Sequence, residues 1–373
     1  MDAEMHNMKT RKVWSLVQAP PKEVKVVGCR WVYNLKKNNE GKAVRYKARL
    51  VAQGFSQRKG ENYEETFSPV INFSLIRLFF CHFCTWLHWQ VDVNCAYLYA
   101  NLDETVYMRQ PPGYKSKKYP DYVCKLDRAL YGLKQSGRQW FTEISSVLEK
   151  LGFTKLKWAN GVFLKNKVIL LLYVDDIVIL GKTNEEIQMT VKLLANNFDL
   201  KIIGKTRTLL GIQFIEENNK VYLSQEHYIT EVYNWSRPLE RFDETIGYLQ
   251  ATRNYKLDIG NIAEISLTAY SDADFASCTD DRISVGGHIV FCGNVPVSWR
   301  TAKQKSVTLS SMEAEFLSIC ETAKELMWLK NVLEEFRSTN VLLGDISCKL
   351  LSDNMAAIQF SIDHRLKIIA LST

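Results

Sequence analysis

Residues 169–180 form an almost continuous apolar run, Ile-Leu-Leu-Leu-Tyr-Val-Asp-Asp-Ile-Val-Ile-Leu, broken only by Asp175 and Asp176. A run this rich in Ile, Leu and Val predicts strands buried on both faces. Two carboxylates cannot be buried there cheaply. The pattern therefore predicts a tight hairpin with the aspartates at its tip. Hard oxygen ligands at that tip suit a divalent cation; a solvated Asp-Asp turn is the plain alternative.

The other elements follow from the same reading. Residues 1–26 are polar and Lys-rich, with a Pro20-Pro21 breaker, and read as a loosely ordered lead-in. Residues 29–33 and 45–52 read as strands joined by turn chemistry at 38–41. Alternation sets Arg45, Lys47 and Arg49 on one face of the second strand, a solvated stripe or a seat for a triphosphate. Asn72 caps a helix with Ile76, Phe79, Phe80, Phe83 and Leu87 at helical spacing. Residues 89–93 form a strand carrying Asp92, a second carboxylate in apolar surroundings. A Gly-punctuated turn at 129–137 leads into a helix with Trp140, Phe141, Ile144, Val147, Leu148 and Leu151 inside, ended by Gly152. After the hairpin, Thr183 and Glu186 make a capping box for a further helix. A strand with Asp, a helix, an Asp-Asp hairpin and a helix fit an antiparallel sheet backed by two helices. That fold brings Asp92 beside Asp175 and Asp176. Three carboxylates on one sheet edge can hold two Mg²⁺ ions roughly 3.5–4 Å apart, as in polymerases.

Composition narrows the setting. The chain has 373 residues, enough for two or three domains, and a formal charge of +7 that suits a polyanionic partner. Nine cysteines show no disulfide framework, the amino terminus is not a signal peptide, and no apolar run is long enough to span a membrane. These features point to a reducing intracellular setting with free thiols. Cys81 and Cys84 lack a second ligand pair and read as core.

Three motifs carry a resemblance: residues 91–98, residues 130–136 with Gln135, and Tyr173-Val174-Asp175-Asp176. In order and spacing they resemble successive motifs of reverse transcriptases. With residues 46–55 and 65–70, the wider likeness is to the copia-type retrotransposon Pol polyprotein, from about Trp31 to about Val232. The resemblance implies an RNA-directed DNA polymerase with Asp92, Asp175 and Asp176 as metal-binding catalytic carboxylates. It implies Tyr97 under the incoming sugar, Gln135 at the nucleotide or template, and Lys47 or Arg49 at the triphosphate. The implied partners are an RNA template, a DNA primer, dNTPs and an RNA–DNA hybrid. The implied cofactor is Mg²⁺, two per active site, with Mn²⁺ as a substitute. The compartment is cytoplasmic, in a virus-like particle, or nuclear, with no membrane.

Past Val232 the family's longer connecting region looks shortened, residues 236–242 and 245–249 being fragments of it. From 263 on, strands at 267–276, 285–291 and 295–299, a helix from about Ser310 and a strand at 349–354 follow the opening order of an RNase H-like domain. Its helix is expected to bury Phe316, Ile319, Cys320, Ala323 and Met327. By the motif match its metal carboxylates are Asp272, Glu313 and Asp353, with Glu315 as the alternative to Glu313 and Asp274 on the surface. Glu313 also completes a capping box with Ser310. Residues 363–370 resemble the start of the family's next segment, but Ile368 and Ala370 stand where His and Asp are expected. This implies a truncated domain with a fourth carboxylate missing and its sheet incompletely covered.

The expected fold is α+β: fingers and palm over 27–232, an antiparallel sheet backed by helices; a shortened connection or thumb remnant over 233–262; and a C-terminally truncated RNase H-like α/β domain over 263–373. A decayed, inactive nucleic-acid-binding remnant of a transposon shares this fold and is the alternative function. The chain looks like only the carboxy-terminal part of a polyprotein.

Overall fold

The hairpin at the centre of the chain forms because its two apolar runs have a face each to give to two different layers. In a computed structural model, which describes residues 1–37, 42–217, 220–236, 243–260, 262, 265–339, 341, 344–363 and 369–370, strands Val168–Tyr173 and Asp176–Gly181 pair antiparallel with Tyr173 opposite Asp176. They lie inside a six-stranded antiparallel sheet. Asp176–Gly181 pairs on its other side with Leu87–Val93, which pairs in turn with Leu200–Lys205. Leu170, Leu172, Ile177 and Ile179 face helices Ser136–Lys150 and Asn184–Ala195, meeting Trp140, Ile144, Leu148, Ile187 and Leu194. Ile169, Leu171, Val178 and Leu180 face the opposite way, toward helix Phe73–His82. The alternation of strand side chains thus fills two cores from one run.

Local chemistry sets the helix ends as expected. Asn72 Oδ1 accepts from Ser74 N at 2.9 Å. Thr183 and Glu186 form a reciprocal capping box. Gly152 follows helix Ser136–Lys150 at φ +86°, where a Cβ is disfavoured. Leu87 departs from the expected helical stripe: it begins the next strand and is half-exposed.

The first 26 residues are more structured than their polarity suggests. Helix Asp2–Thr10 buries Met8, and strand Trp14–Val17 pairs with Val123–Arg128. Val26–Val27 adds parallel to Asn101–Met108. Beside this sheet stands a two-stranded hairpin, Cys29–Lys37 with Ala43–Ala52. Its expected turn at 38–41 lies outside the described residues. In the connection, strands Ile212–Glu217, Lys220–Ser224 and Lys256–Asp258 form a small sheet, and helices Glu226–Ser236 and Asp243–Ala251 flank the gap at 237–242, which is not described.

The last third forms a five-stranded sheet in which Ser266–Asp274 is central. Val285–Cys292 and Val295–Lys303 lie on one side, antiparallel; Ser347–Ser352 and Ile369–Ala370 lie on the other, parallel. Residues 364–368, including Ile368, lie outside the described residues. Helix Ser311–Ser338 crosses this sheet. Its buried side runs through Glu315, Ser318, Ile319, Thr322, Leu326, Leu329 and Leu333, while Met327 is 60% exposed. Small polar residues share the buried stripe, so the apolar pattern alone predicted the wrong edge of the helix.

The two halves share one core. Helix Phe73–His82 sits between the six-stranded sheet and the C-terminal sheet, with Phe79 tilted against Phe336 at 4.8 Å between ring centroids. Arg77 donates through Nε to Val297 O at 2.7 Å and lies 4.0 Å over the Trp299 ring. Burial pulls its pKa down to about 10, so it stays charged at neutral pH. Glu335 accepts from the amides of Lys157 and Trp158, and Trp328 donates to Trp158 O. Phe336 is 1% exposed. Phe336→Ala is expected to cost about 3–5 kcal/mol and, because its ring closes the joint core, to move the urea midpoint of both halves together. Separate probes in the palm and in the C-terminal sheet check this; a palm transition left in place would refute a shared core.

Candidate active site

Register carries the palm site. Asp176 stands directly opposite Asp92 across the strand pair, and Val93 N donates to Asp175 O at 2.8 Å. The turn that presents Asp175 has Val174 at φ +54°, a left-handed conformation that a β-branched residue takes only under constraint. Trp140 supplies that constraint, donating Nε1–H to Val174 O at 2.6 Å. Burial pushes the Asp175 and Asp176 carboxyls above their ordinary range; Asp92 raises both further, and Asp175 also raises Asp176. A hydrogen bond from Gln90 Nε2 to Asp176 Oδ1, 2.9 Å, works the other way. Gln90 was not singled out in the sequence. Its signal was there: it lies two residues before Asp92 and so on the same strand face.

The hairpin of residues 29–52 turns its basic stripe toward this tip. The Lys47 and Arg49 charges both act on the Asp175 carboxyl, and Arg49 lies 5.5 Å over the Tyr131 ring. Tyr97 packs on Tyr131 at 5.0 Å, and its hydroxyl is pushed up by burial and then by Asp175. The side chain of Arg45 lies outside what is described. Asp92, Asp175, Asp176, Lys47, Arg49 and Tyr97 therefore gather in one place.

Gln135 does not join them, which corrects the expectation of a nucleotide contact. It is fully buried. Its Nε2 donates to Asn62 O and to Glu104 Oε2, and its Oε1 accepts from Gln57 Nε2. With both ends of the amide engaged, it braces the turn rather than a ligand. The same turn brings Gly132, at φ +89°, so close to residue 52 that an added Cβ would lie 2.2 Å from Ala52 O.

A second acidic group lies in the C-terminal domain. Asp272, Glu315 and Asp353 each offer an oxygen within 4.8 Å of the others. Asp272 lies two residues before the end of strand Ser266–Asp274, and Asp353 follows the parallel strand beside it, so the two strand ends converge. Glu315 reaches them from the first turns of the long helix. Glu313 does not: its carboxylate accepts from Leu309 N at 2.7 Å and its own amide donates to Ser310 Oγ, so it caps the helix. Asp274 is exposed. Burial, then Asp272 and Asp353, push Glu315 up to about 7. Its Oε2 is buried with no hydrogen-bond partner among the described residues. Three hard oxygen donors, one of them orphaned, fit a divalent cation. All nine cysteines are free, with Cys81 in the core.

A family profile described as reverse transcriptase (RNA-dependent DNA polymerase) matches residues 11–242. The chain belongs to the reverse transcriptase family. Among its relatives, the retrovirus-related Pol polyprotein from transposon RE1 of Arabidopsis thaliana is 34% identical over 406 residues, covering 90% of this chain and 28% of the relative. The Pol polyprotein from transposon RE2 of the same plant is 33% identical with the same coverage. That from transposon TNT 1-94 of Nicotiana tabacum is 33% identical over 416 residues, 90% of this chain and 31% of the relative. The reverse transcriptase chain thus spans under a third of these relatives. The copia-type likeness of its motifs holds across nearly its whole length. Each matched stretch is longer than the 373-residue chain, so the relatives carry residues that this chain lacks within it. No helix among the described residues is long and apolar enough to cross a membrane.

The raised carboxyl of Glu315 has a signed consequence. A folded-state pKa of about 7 against an ordinary 4.5 means that the folded chain binds the proton more tightly. Stability is then lost as pH rises through that window and regained as it falls. Glu315→Gln is expected to raise the melting temperature above pH 7 and to bring no gain below about pH 4.5, as read by thermal unfolding across pH. A gain independent of pH would refute the strained-carboxylate account.

Proposed function

We propose that the chain is the RNA-directed DNA polymerase part of a copia-type retrotransposon Pol protein, with a tethered RNase H-like domain. The observation that carries the polymerase reading is the register of Asp92 against Asp176 with Asp175 at the adjoining tip. Those three carboxylates hold two Mg²⁺ ions in this reading, and Asp272, Glu315 and Asp353 hold a second pair. Bound there, the ions supply Lewis acidity for nucleotidyl transfer in the palm and for phosphodiester hydrolysis in the C-terminal domain.

The chain's own residues do the rest. Lys47 and Arg49 attract the triphosphate of a dNTP and offset its charge beside the aspartates. Tyr97, held edge-on by Tyr131, closes the floor where a sugar would lie and excludes a 2′-hydroxyl. Gln90 holds one Asp176 oxygen and so fixes the direction of the other. RNA template and DNA primer are the partners of this site, and the RNA–DNA hybrid it makes is the substrate of the second. The RNase H-like reading is supported by the sheet order, with strand Ser266–Asp274 antiparallel to Val285–Cys292 on one side and parallel to Ser347–Ser352 on the other, and by the carboxylates near its strand ends.

Primer extension on an RNA template with Mg²⁺ tests the polymerase reading. Asp175→Asn is expected to abolish extension; no extension by the unaltered chain would favour an inactive remnant. Hybrid cleavage tests the second site and separates two neighbouring glutamates. Glu315→Gln is expected to abolish cleavage, whereas Glu313→Gln, which keeps an oxygen for the Leu309 amide, is expected to keep it and to change stability little. The reverse pattern would return the role to Glu313.

A further inference from the structure

One buried carboxylate belongs to neither acidic group. Glu4 sits in the first turn of helix Asp2–Thr10 and is 9% exposed. It lies outside residues 11–242, the stretch that matches the family profile. An acidic residue near a helix start is ordinary at a surface, where the helix dipole favours it, and the exposed Asp2 is such a residue. Glu4 is not at the surface. It shares a helix face with Met8, one turn on, which packs in the same core as Leu50 and Ala52. Its Oε1 is buried with no hydrogen-bond partner among the described residues.

The surroundings of Glu4 show what a charge can do there. Strand Ala43–Ala52 belongs to a two-stranded hairpin, so one of its edges has no strand beside it among the described residues. On that edge Ala52 N donates to Tyr131 O at 2.7 Å, and the Leu50 amide, two residues back, bonds the Glu4 carboxylate. Lys47 and Arg49, half-buried on the same strand, both act on Glu4, as they do on Asp175. Burial raises the Glu4 carboxyl above its ordinary range; the Leu50 bond, Arg49 and Lys47 work the other way. Tyr131 is the common landmark, because the Arg49, Asp175 and Glu4 charges all reach its hydroxyl. One pair of cations is thus shared by two carboxylates, Asp175 on the side of the site and Glu4 on the side of the helix. The helix is fixed there from the palm as well. Asn7 Nδ2 donates to Cys95 Sγ at 3.5 Å, Arg11 Nη2 donates to Asn94 O at 3.5 Å, and the Arg11 guanidinium lies 4.0 Å over the Tyr99 ring. Asn94 and Cys95 directly follow the strand that carries Asp92.

An acceptor for the Leu50 amide needs no charge, and a glutamine would serve. A buried carboxylate costs desolvation, which only its action on the cations offsets. We propose that Glu4 is a positioning residue of the polymerase site, whose negative charge balances Lys47 and Arg49 from behind and loosens their hold on the triphosphate. This role rests on the polymerase reading given above. Without it, both cations would keep their full charge for pyrophosphate, the leaving group of nucleotidyl transfer. With it, they share that charge with Glu4 as the anion departs. The effect therefore falls on the affinity for polyphosphate and not on the bond-making step.

Glu4→Gln removes the charge and keeps an oxygen for the Leu50 amide. In primer extension by the full chain with Mg²⁺, the KM for a dNTP and the inhibition constant of pyrophosphate are expected to fall together, several-fold. The kcat should be no higher and the KM for primer–template unchanged. Isothermal titration calorimetry of dNTP binding should show the same gain in affinity. Glu4→Met, neutral and of similar length, carries the same expectation, so a variant that fails to fold does not leave the role undecided. In a chain that also carries Lys47→Gln and Arg49→Gln, Glu4→Gln should shift dNTP affinity by less than about twofold, because its effect passes through those cations. A purely structural role predicts the opposite sign, since a misplaced strand raises the KM for the dNTP. A rise, no change, or an equal gain without the two cations would overturn the role of Glu4, while extension by the unaltered chain would leave the polymerase reading standing. An unaltered chain that neither extends a primer nor binds a dNTP would overturn both.

Discussion

The palm is built around an unfavourable pair. Asp92 and Asp176 face each other across two antiparallel strands, an arrangement in which like charges destabilise a sheet. The register cannot slip to relieve it. A shift of one residue would turn Val91, Val93, Ile177 and Ile179 out of one core and Val178 and Leu180 out of the other. Apolar burial on both faces therefore holds the carboxylates together against their own repulsion. Lys201 is the register neighbour of Asp92 on the far side, and Gln90 bonds Asp176. The Lys47 and Arg49 charges reach Asp175, yet burial raises its carboxyl, as it raises that of Asp176.

The same logic recurs in the C-terminal domain with different parts. There, two parallel strand exits and a helix bring Asp272, Asp353 and Glu315 together. At the start of the helix Glu313 accepts from Leu309 N, while Glu315 lies on the buried side. One glutamate is taken up by the helix start and the other joins the acidic group. Both acidic groups are thus held by structure that is stable for unrelated reasons, which is how strained functional groups persist.

How much of this was legible depended on the range of each signal. The hairpin, the caps at Asn72 and Thr183 and the stop at Gly152 follow from a few adjacent residues, and they were readable. Asp92 was readable because a carboxylate in an apolar strand is costly wherever the strand goes. The choice between Glu313 and Glu315 was not, because Glu313 is occupied by the helix start in a bond one residue beyond the expected capping box, from the Leu309 amide. Gln135 looked like a ligand contact because its motif is local, whereas the groups that enclose it come from Gln57, Asn62 and Glu104. The early helix was missed because only Met8 and the residues after it, such as Val13, give it a core to join.

Helix Phe73–His82 adds a constraint that neither half shows alone. One side of it covers the palm sheet beneath Asp176, and the other receives Phe336 and the strand that bears Val297 and Trp299. Its Arg77 is charged and half-buried, and its partners among the described residues are groups from the C-terminal domain: a backbone carbonyl, an indole face and the nearby Glu325 carboxylate. Separating the halves would leave that charge against apolar surface without its partners, which costs more than losing a surface contact. The two acidic sites are consequently fixed in distance and orientation. The joint between the two acidic groups is core rather than linker.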